Sequence, residues 1–380
     1  MDVICADKPI KLRPARPWRT YLGGYLLDVL EGVPEPKDGN FPEEWVSSVV
    51  TARNAGRERI VEGLSMVDGG DGQTPMALKD VIASAPADFL GVEHVRQYGG
   101  VTGVLVKLID SAERLTIQTH PDKRNARALF QSDFGKTECW HILGGRAIGG
   151  LSPAVYLGFK PGVTREKWTD LFERQDRAGM LDCLHRFPAN PGDTFLIEGG
   201  TPHAIGAGCF LVEIQEPTDY TIRVEKVTDS GLKIDDFMCH QGLGFERMFD
   251  CFDYAGITGG ETYDKWRVPP SRLNAAAGRA DEYDEYEIIG YGGTPFFRAT
   301  IAEIRGGYEA DCGASFSGLL ILSGAGVLIA GGYERRIKKG DQFFMPAGIK
   351  RFGIAADPGG PVKAVRFFGP QTANARANLL

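Results

Sequence analysis

The chain has 380 residues, 43% apolar and 24% charged, with a formal charge of -7. This mix excludes intrinsic disorder, which needs low hydrophobicity and high net charge. The acidic balance also argues against generic nucleic-acid binding, which dense basic charge drives.

At about 150 residues per domain the length predicts two domains. Glycine is the outlier: fifty residues, about 13% against an average of about 7%. Many fall in pairs, as at Gly99-Gly100, Gly149-Gly150 and Gly199-Gly200. Paired glycines between short apolar runs predict tight turns and a β-rich fold. No apolar run reaches the roughly 18 residues of a membrane span, so no membrane partner is expected. The first residues lack the apolar core of a signal peptide. Seven scattered cysteines without a CxxC pair predict a reducing, cytoplasmic setting, with the thiols acting as small buried hydrophobes.

Residues 1–57 carry prolines and turns, with a short helix at 26–30 and a strand over 43–52. Short helical turns are expected at 80–84 and 87–90. Residues 101–108 and 114–120 read as consecutive strands. In the second, alternation puts Gln118 and His120 on one face, with Thr116. A short helix at 125–130 follows, then strands at 138–143 and 147–159. The stretch 164–187 has helical spacing: Thr164 is a candidate N-cap, Trp168, Leu171 and Phe172 recur at i, i+3, i+4, and Gly179 divides two helices. Strand character returns at 194–197, 209–215 and 220–224. Residues 234–252 are ambiguous between helix and loop. Residues rich in Gly, Pro and charge then lead to six short strands between 296 and 368. The acidic run 281–287 reads as a solvated face. One echo links the halves: Pro191-Gly192-Asp193-Thr194-Phe195-Leu196-Ile197 resembles Lys339-Gly340-Asp341-Gln342-Phe343-Phe344-Met345, but the second copy has no histidine at its following turn.

The chain has only six histidines. Gln118, His120, Glu138 and His203 form a feasible four-ligand metal set if the sheet closes on itself, since neutral imidazole and carboxylate suit Zn²⁺ and similar ions. The alternative stays open that these are buried, hydrogen-bonded side chains. His141, three residues past Glu138, faces the other side of a strand and is read as structural, as are His94, His185 and His240. Lys123, Lys136 and Arg223 are surface charges or, if clustered near a metal, phosphate ligands. Walker, dinucleotide and serine-hydrolase motifs are missing.

The run Leu115-Thr116-Ile117-Gln118-Thr119-His120-Pro121-Asp122-Lys123 resembles the zinc motif of type I mannose-6-phosphate isomerases, members of the cupin superfamily. Three further segments agree in order: Gly135-Lys136-Thr137-Glu138-Cys139-Trp140, Pro191 through His203-Ala204-Ile205, and Glu213-Ile214-Gln215-Glu216 through Arg223-Val224. The resemblance implies one Zn²⁺ per chain held by Gln118, His120, Glu138 and His203. It implies a catalytic Arg223 and a substrate site containing Lys136, Thr116 and Lys123. The implied reaction interconverts mannose 6-phosphate and fructose 6-phosphate through an enediol. The base is not named; Glu198 and Glu213 are candidates. Departures lie in the stretched Trp18 to Gly24 segment, in Glu43-Glu44-Trp45, and in Val224-Glu225-Lys226 after Arg223. They leave open an isomerase for another sugar or sugar phosphate, or a non-catalytic sugar-binding cupin.

The expected architecture is mainly β: two cupin-type jelly-roll barrels, the first with a helical insertion at about 164–187. The expected domains are a catalytic unit at 1–252, a linker at 253–285 and a cupin-like unit at 286–380. The expected partner is a small sugar phosphate, and a homodimer is the candidate assembly.

Overall fold

The computed structural model describes residues 4–68, 75–258, 261–274 and 281–373. Within them the chain is mainly β, arranged in sheets of eight, five, five and four strands. The sheets stack in layers, and the alternation of side chains along each strand makes the layers cohere. In the inner five-stranded sheet, Ile109, Trp140 and Leu211 pack against Val155, Leu157 and Ile205 of the outer five-stranded sheet. From the other face of the same inner sheet, Val106, Leu108, Val212 and Ile214 pack against Leu320, Phe344, Val365 and Phe367 of the eight-stranded sheet. The far face of that sheet, with Leu319, Ile321 and Phe343, packs against Leu328, Phe352 and Ile354 of the four-stranded sheet.

The six expected C-terminal strands are present, at Arg298–Ile304, Ser317–Ser323, Ala325–Ala330, Tyr333–Lys338, Gln342–Met345 and Val362–Phe368, and two strands that were not expected, Gly307–Asp311 and Arg351–Ala356, lie among them. The acidic run forms the strand Tyr283–Ile289. Elsewhere the structure differs. The strand expected over 43–52 ends at Val46, where Ser47 turns to φ 51°. The helical stretch is two helices, Arg165–Glu173 and Arg177–Asp182, parted at Gln175 (φ 50°). Gly179 sits inside the second, where its N–H donates to the N-cap carboxylate of Asp176. Leu184–Pro188 is not helix but a strand paired with Ala154–Phe159. Met180 and Leu181 keep their helical spacing, but Leu184 gave way to ladder hydrogen bonds that a free edge offered. Residues 234–252 resolve into short helices, Asp236–His240 and Gly244–Arg247, and a 3-10 turn, Met248–Cys251.

The N-terminal segment holds the largest surprise. Ile10–Arg13 pairs with Gln342–Met345, and Met66–Val67 pairs with Ile10–Arg13, so residues from the chain start complete the eight-stranded sheet of the C-terminal half. The segment between the halves also packs back, because Trp266 joins the core between the two five-stranded sheets.

Strand register makes the internal echo explicit. In the first half Glu138 lies opposite Ile197, and Trp140 opposite Phe195 and Glu213, which in turn faces Lys107. The second half repeats this with Ser317 opposite Met345, and Leu319 opposite Phe343 and Arg366, which faces Thr300. Ser317 and Arg366 thus stand where the first half carries Glu138 and Glu213. The position twelve residues into the echo is His203 in one copy and Arg351 in the other.

Candidate metal centre and substrate cavity

Three strands of the outer sheet bring the motif residues together. Gln118–Thr119 lies between His203–Ile205 and Ile222–Arg223. Its Gln118 is opposite His203 on one side and Arg223 on the other. Directly opposed residues share a sheet face, so Arg223, Gln118 and His203 form one row. Glu138 comes from the inner sheet across the sandwich.

His120, Glu138 and His203 form the cluster of His and acidic side chains with metal-ligand spacing found among the described residues. All three are buried. The His120 and His203 Nε2 atoms are 3.1 Å apart, and Glu138 oxygens lie 3.1 Å from His120 and 3.7 Å from His203. A tetrahedral centre with bonds of about 2.1 Å spaces its ligands about 3.4 Å apart, which matches. The Gln118 amide lies 3.4 Å from His203 Nε2, and rotation of that amide presents its oxygen.

The protons on the two rings are set by the backbone. His120 Nδ1 is 2.8 Å from the Tyr220 carbonyl, and His203 Nδ1 is 2.8 Å from the Thr201 carbonyl. A carbonyl only accepts, so each Nδ1 carries the hydrogen and each Nε2 presents a lone pair. Burial, reinforced by Lys136, holds the His120 imidazolium down to about 3. Burial likewise lowers His203. Burial alone would raise Glu138, but Lys136 and His120 outweigh it and hold the carboxyl well below its usual range. Two lone pairs and a carboxylate converge on one point, and that donor set fits a divalent cation.

The cavity beside this cluster is lined by Thr116, Gln118, Lys136, Glu138 and Arg223, all expected from the sequence. It is narrow, with about 30 Å³ of free volume, so a sugar-sized ligand requires side chains to move. Lys136 Nζ is 3.0 Å from Glu138 and 3.1 Å from His120 Nε2. Arg223 donates to the carbonyls of Met238 (3.0 Å) and Thr221 (3.3 Å). No carboxylate pairs with it among the described residues, and burial lowers its affinity for the proton. Lys123 lies elsewhere: it is partly exposed, 3.8 Å from Glu216 and 4.4 Å above the Phe296 ring, outside the cavity. Glu198 is exposed, whereas Glu213 lines the cavity.

Four charged lining residues escaped the motif reading: Arg19, Glu43, Lys107 and Asp219. Arg19 forks onto Asp219 (3.1 and 3.2 Å) and reaches Glu43 (2.9 Å). Lys107 meets Glu213 at 2.8 Å. Burial would raise Glu43, but Arg19 and Lys107 outweigh it and hold it at about 2. Glu213 moves the other way, raised by burial and by the Glu138 charge despite Lys107. One signal was readable: Lys107 interrupts an apolar run, Val104 to Ile109, and a charge inside such a strand must face a polar interior.

Stacked antiparallel sheets hold a buried His/Glu/His cluster between two of them. Residues 288–357 match the family model described as mannose-6-phosphate isomerase, cupin domain. A probable mannose-6-phosphate isomerase of Bacillus subtilis is 29% identical over 259 residues, which is 67% of this chain and 73% of the relative. Over about two thirds of its length the chain is similar to curated mannose-6-phosphate isomerases. Its fold is shared with the crystal structure of the mannose 6-phosphate isomerase from Bacillus subtilis, at TM-score 0.67 and 22% identity over 94% of this chain and 99% of that one. It is also shared with a mannose 6-phosphate isomerase bound with zinc and yttrium, at TM-score 0.70 and 16% identity over 96% of this chain and 100% of that one.

Proposed function

We propose that the protein is a zinc-dependent aldose–ketose isomerase interconverting mannose 6-phosphate and fructose 6-phosphate. The convergence of two Nε2 lone pairs and the Glu138 carboxylate carries this reading. Gln118, His120, Glu138 and His203 would hold the zinc, one ion per chain. A bound zinc supplies Lewis acidity toward substrate oxygens.

The remaining work falls to the chain. A proton must pass between C2 and C1 of the open-chain sugar, through an enediol, by way of a group within about 3 Å. Glu213 is our candidate, a cavity carboxyl whose proton affinity is raised. Arg223, whose guanidinium is tied only to carbonyls among the described residues, can turn its fork to the developing oxyanion. Lys136 and Thr116 contact the substrate from the cavity wall. Charge supports a phosphorylated substrate. The lining carries four cations, Arg19, Lys107, Lys136 and Arg223, and four carboxylates, Glu43, Glu138, Glu213 and Asp219. A divalent metal then leaves an excess that a phosphate dianion neutralises. Lys123, at the start of the helix Lys123–Phe130 and outside the cavity, would contribute only if its side chain swung away from Phe296.

A second reading, an isomerase for another sugar or sugar phosphate, draws on Arg19 and Tyr21, which line and narrow the cavity. The test is proton NMR of mannose 6-phosphate in D₂O with zinc-loaded and chelator-treated protein, beside a panel of other aldoses. Fructose 6-phosphate formed only by the loaded sample establishes the proposal; turnover of another sugar alone moves the assignment to the second reading. We read the two pairs of sheets as two cupin jelly rolls, with the helices of 165–182 inserted in the first and the units divided near 253–285. A cytoplasmic location accords with six cysteines buried singly, without disulfides.

A further inference from the structure

The seam between the inner five-stranded sheet and the eight-stranded sheet is apolar along most of its length. At one end it opens into a cleft of about 350 Å³. Small-molecule sites favour such places, between packed units and in volumes of roughly 300–1,000 Å³. The cleft's apolar wall is Ile288 and Ile301; its polar groups include His141, Tyr286 and Lys363.

His141 and Glu138 share one strand but face opposite sides of the sheet, so the cleft is separated from the metal cluster by the sheet itself. His141 is 4% exposed. Its Nδ1 is 2.9 Å from Thr194 Oγ1, and its other nitrogen has no hydrogen-bond partner among the described residues. Burial, helped by the Lys363 charge, holds this imidazole down to about 4, so it is neutral at physiological pH. Lys363 has no ion pair among the described residues. The cleft's two carboxylates already have arginine partners: Asp284 meets Arg305 at 2.9 Å and also Arg272, and Glu303 meets Arg305 at 3.5 Å. The charge left over is therefore positive.

We propose that this cleft is a binding site for a small organic oxyanion, its head group on Lys363 and the His141 ring and its body against Ile288 and Ile301. The site lies outside the catalytic cavity and does not depend on the isomerase assignment. A lysine acts as a point charge, so phosphate and carboxylate heads are both accepted.

The six histidines make a local readout practical. The zinc-loaded protein, labelled with ¹³C at histidine Cε1, is titrated with inorganic phosphate and separately with citrate. The His141 signal, assigned by its loss in His141→Gln, should shift saturably in the millimolar range. Lys363→Gln should weaken the response by about tenfold or more, and Lys363→Arg should retain it. Arg223→Lys should leave it intact. A His141 signal stationary to tens of millimolar of both anions overturns the proposal. So does an unchanged response in Lys363→Gln with a wild-type melting temperature. Should Lys363→Gln fail to fold, the Lys363→Arg variant still decides: a lost response there overturns a site built on charge.

Discussion

His203 shows how one side chain can be fixed by its surroundings on every side. The Thr201 carbonyl sets its tautomer, burial keeps it neutral, and Gln118 and His120 stand beside its Nε2. His203→Ala is expected to abolish stoichiometric zinc in the isolated protein and to lower isomerase turnover by at least about 10³-fold, read by elemental analysis and coupled assay. Arg223→Met should retain zinc and lower kcat by about 10²-fold; loss of metal in that variant would contradict the separate roles proposed. Glu43, a cavity residue outside the ligand set, gives a pH prediction. Its folded carboxyl sits at about 2 against a usual 4.5, so it adds stability fully present above pH 4.5. That contribution, on the order of 3 kcal/mol, is lost as pH falls through the window from 4.5 to 2. Urea unfolding across that window should show a shallower pH dependence in Glu43→Gln than in the wild type.

At the scale of elements, glycines let the ligand loops meet. A Cβ at Gly199 would lie 2.6 Å from Asp122 Cα and 2.8 Å from its nitrogen, and one at Gly135 would lie 3.0 Å from the same segment. The loops leading to His203 and Glu138 therefore close onto the Pro121–Asp122 turn that follows His120. Gly200 N–H donates to the His120 carbonyl at 2.7 Å, and Lys136 N–H to the Pro121 carbonyl at 3.0 Å. Gly199→Ala should cost about 1–3 kcal/mol and weaken zinc binding, because the two histidines are pushed apart. Gly144→Ala, with nothing within 4 Å of its Cβ, is the control. Thermal melts and competitive zinc titration separate the two effects. This scale is also where sequence reading was least secure. The cap at Thr164 and the burial of Trp168, Leu171 and Phe172 agree with the 3.6-residue spacing. Leu184 fitted the same spacing yet lies in a strand, since the edge of Ala154–Phe159 competed with helix and won.

At the scale of the molecule, the halves are stitched together by the chain's own start. Ile10–Arg13 covers one side of Gln342–Met345, a strand whose residues are all buried. Residues 286–380 expressed alone should leave that strand as an exposed apolar edge and aggregate or remain partly folded, as seen by near-UV circular dichroism and gel filtration. A well-folded monomer from that fragment would show the N-terminal strands to be dispensable. Phe344→Ala, in the seam core, should cost about 3–5 kcal/mol. Calorimetry should show the whole protein, not one half, melting earlier.

Local order determined much of this protein directly. Alternation put Gln118 and His120 on one face, turn glycines and short apolar runs produced the C-terminal strands, and the Gly-Asp echo marked two related halves. These are properties of neighbours in the chain, readable because strand periodicity and turn chemistry act over a few residues. Tertiary structure alone decided the rest. It joined Ile10–Arg13 to a strand more than 300 residues away and seated Lys107, Arg19, Glu43 and Asp219 around one cavity. It also drew Lys123 out of that cavity onto Phe296. Sheet pairing and ion pairing depend on which surfaces meet after the layers stack; the local pattern can mark a lone charge such as Lys107 but not its partners.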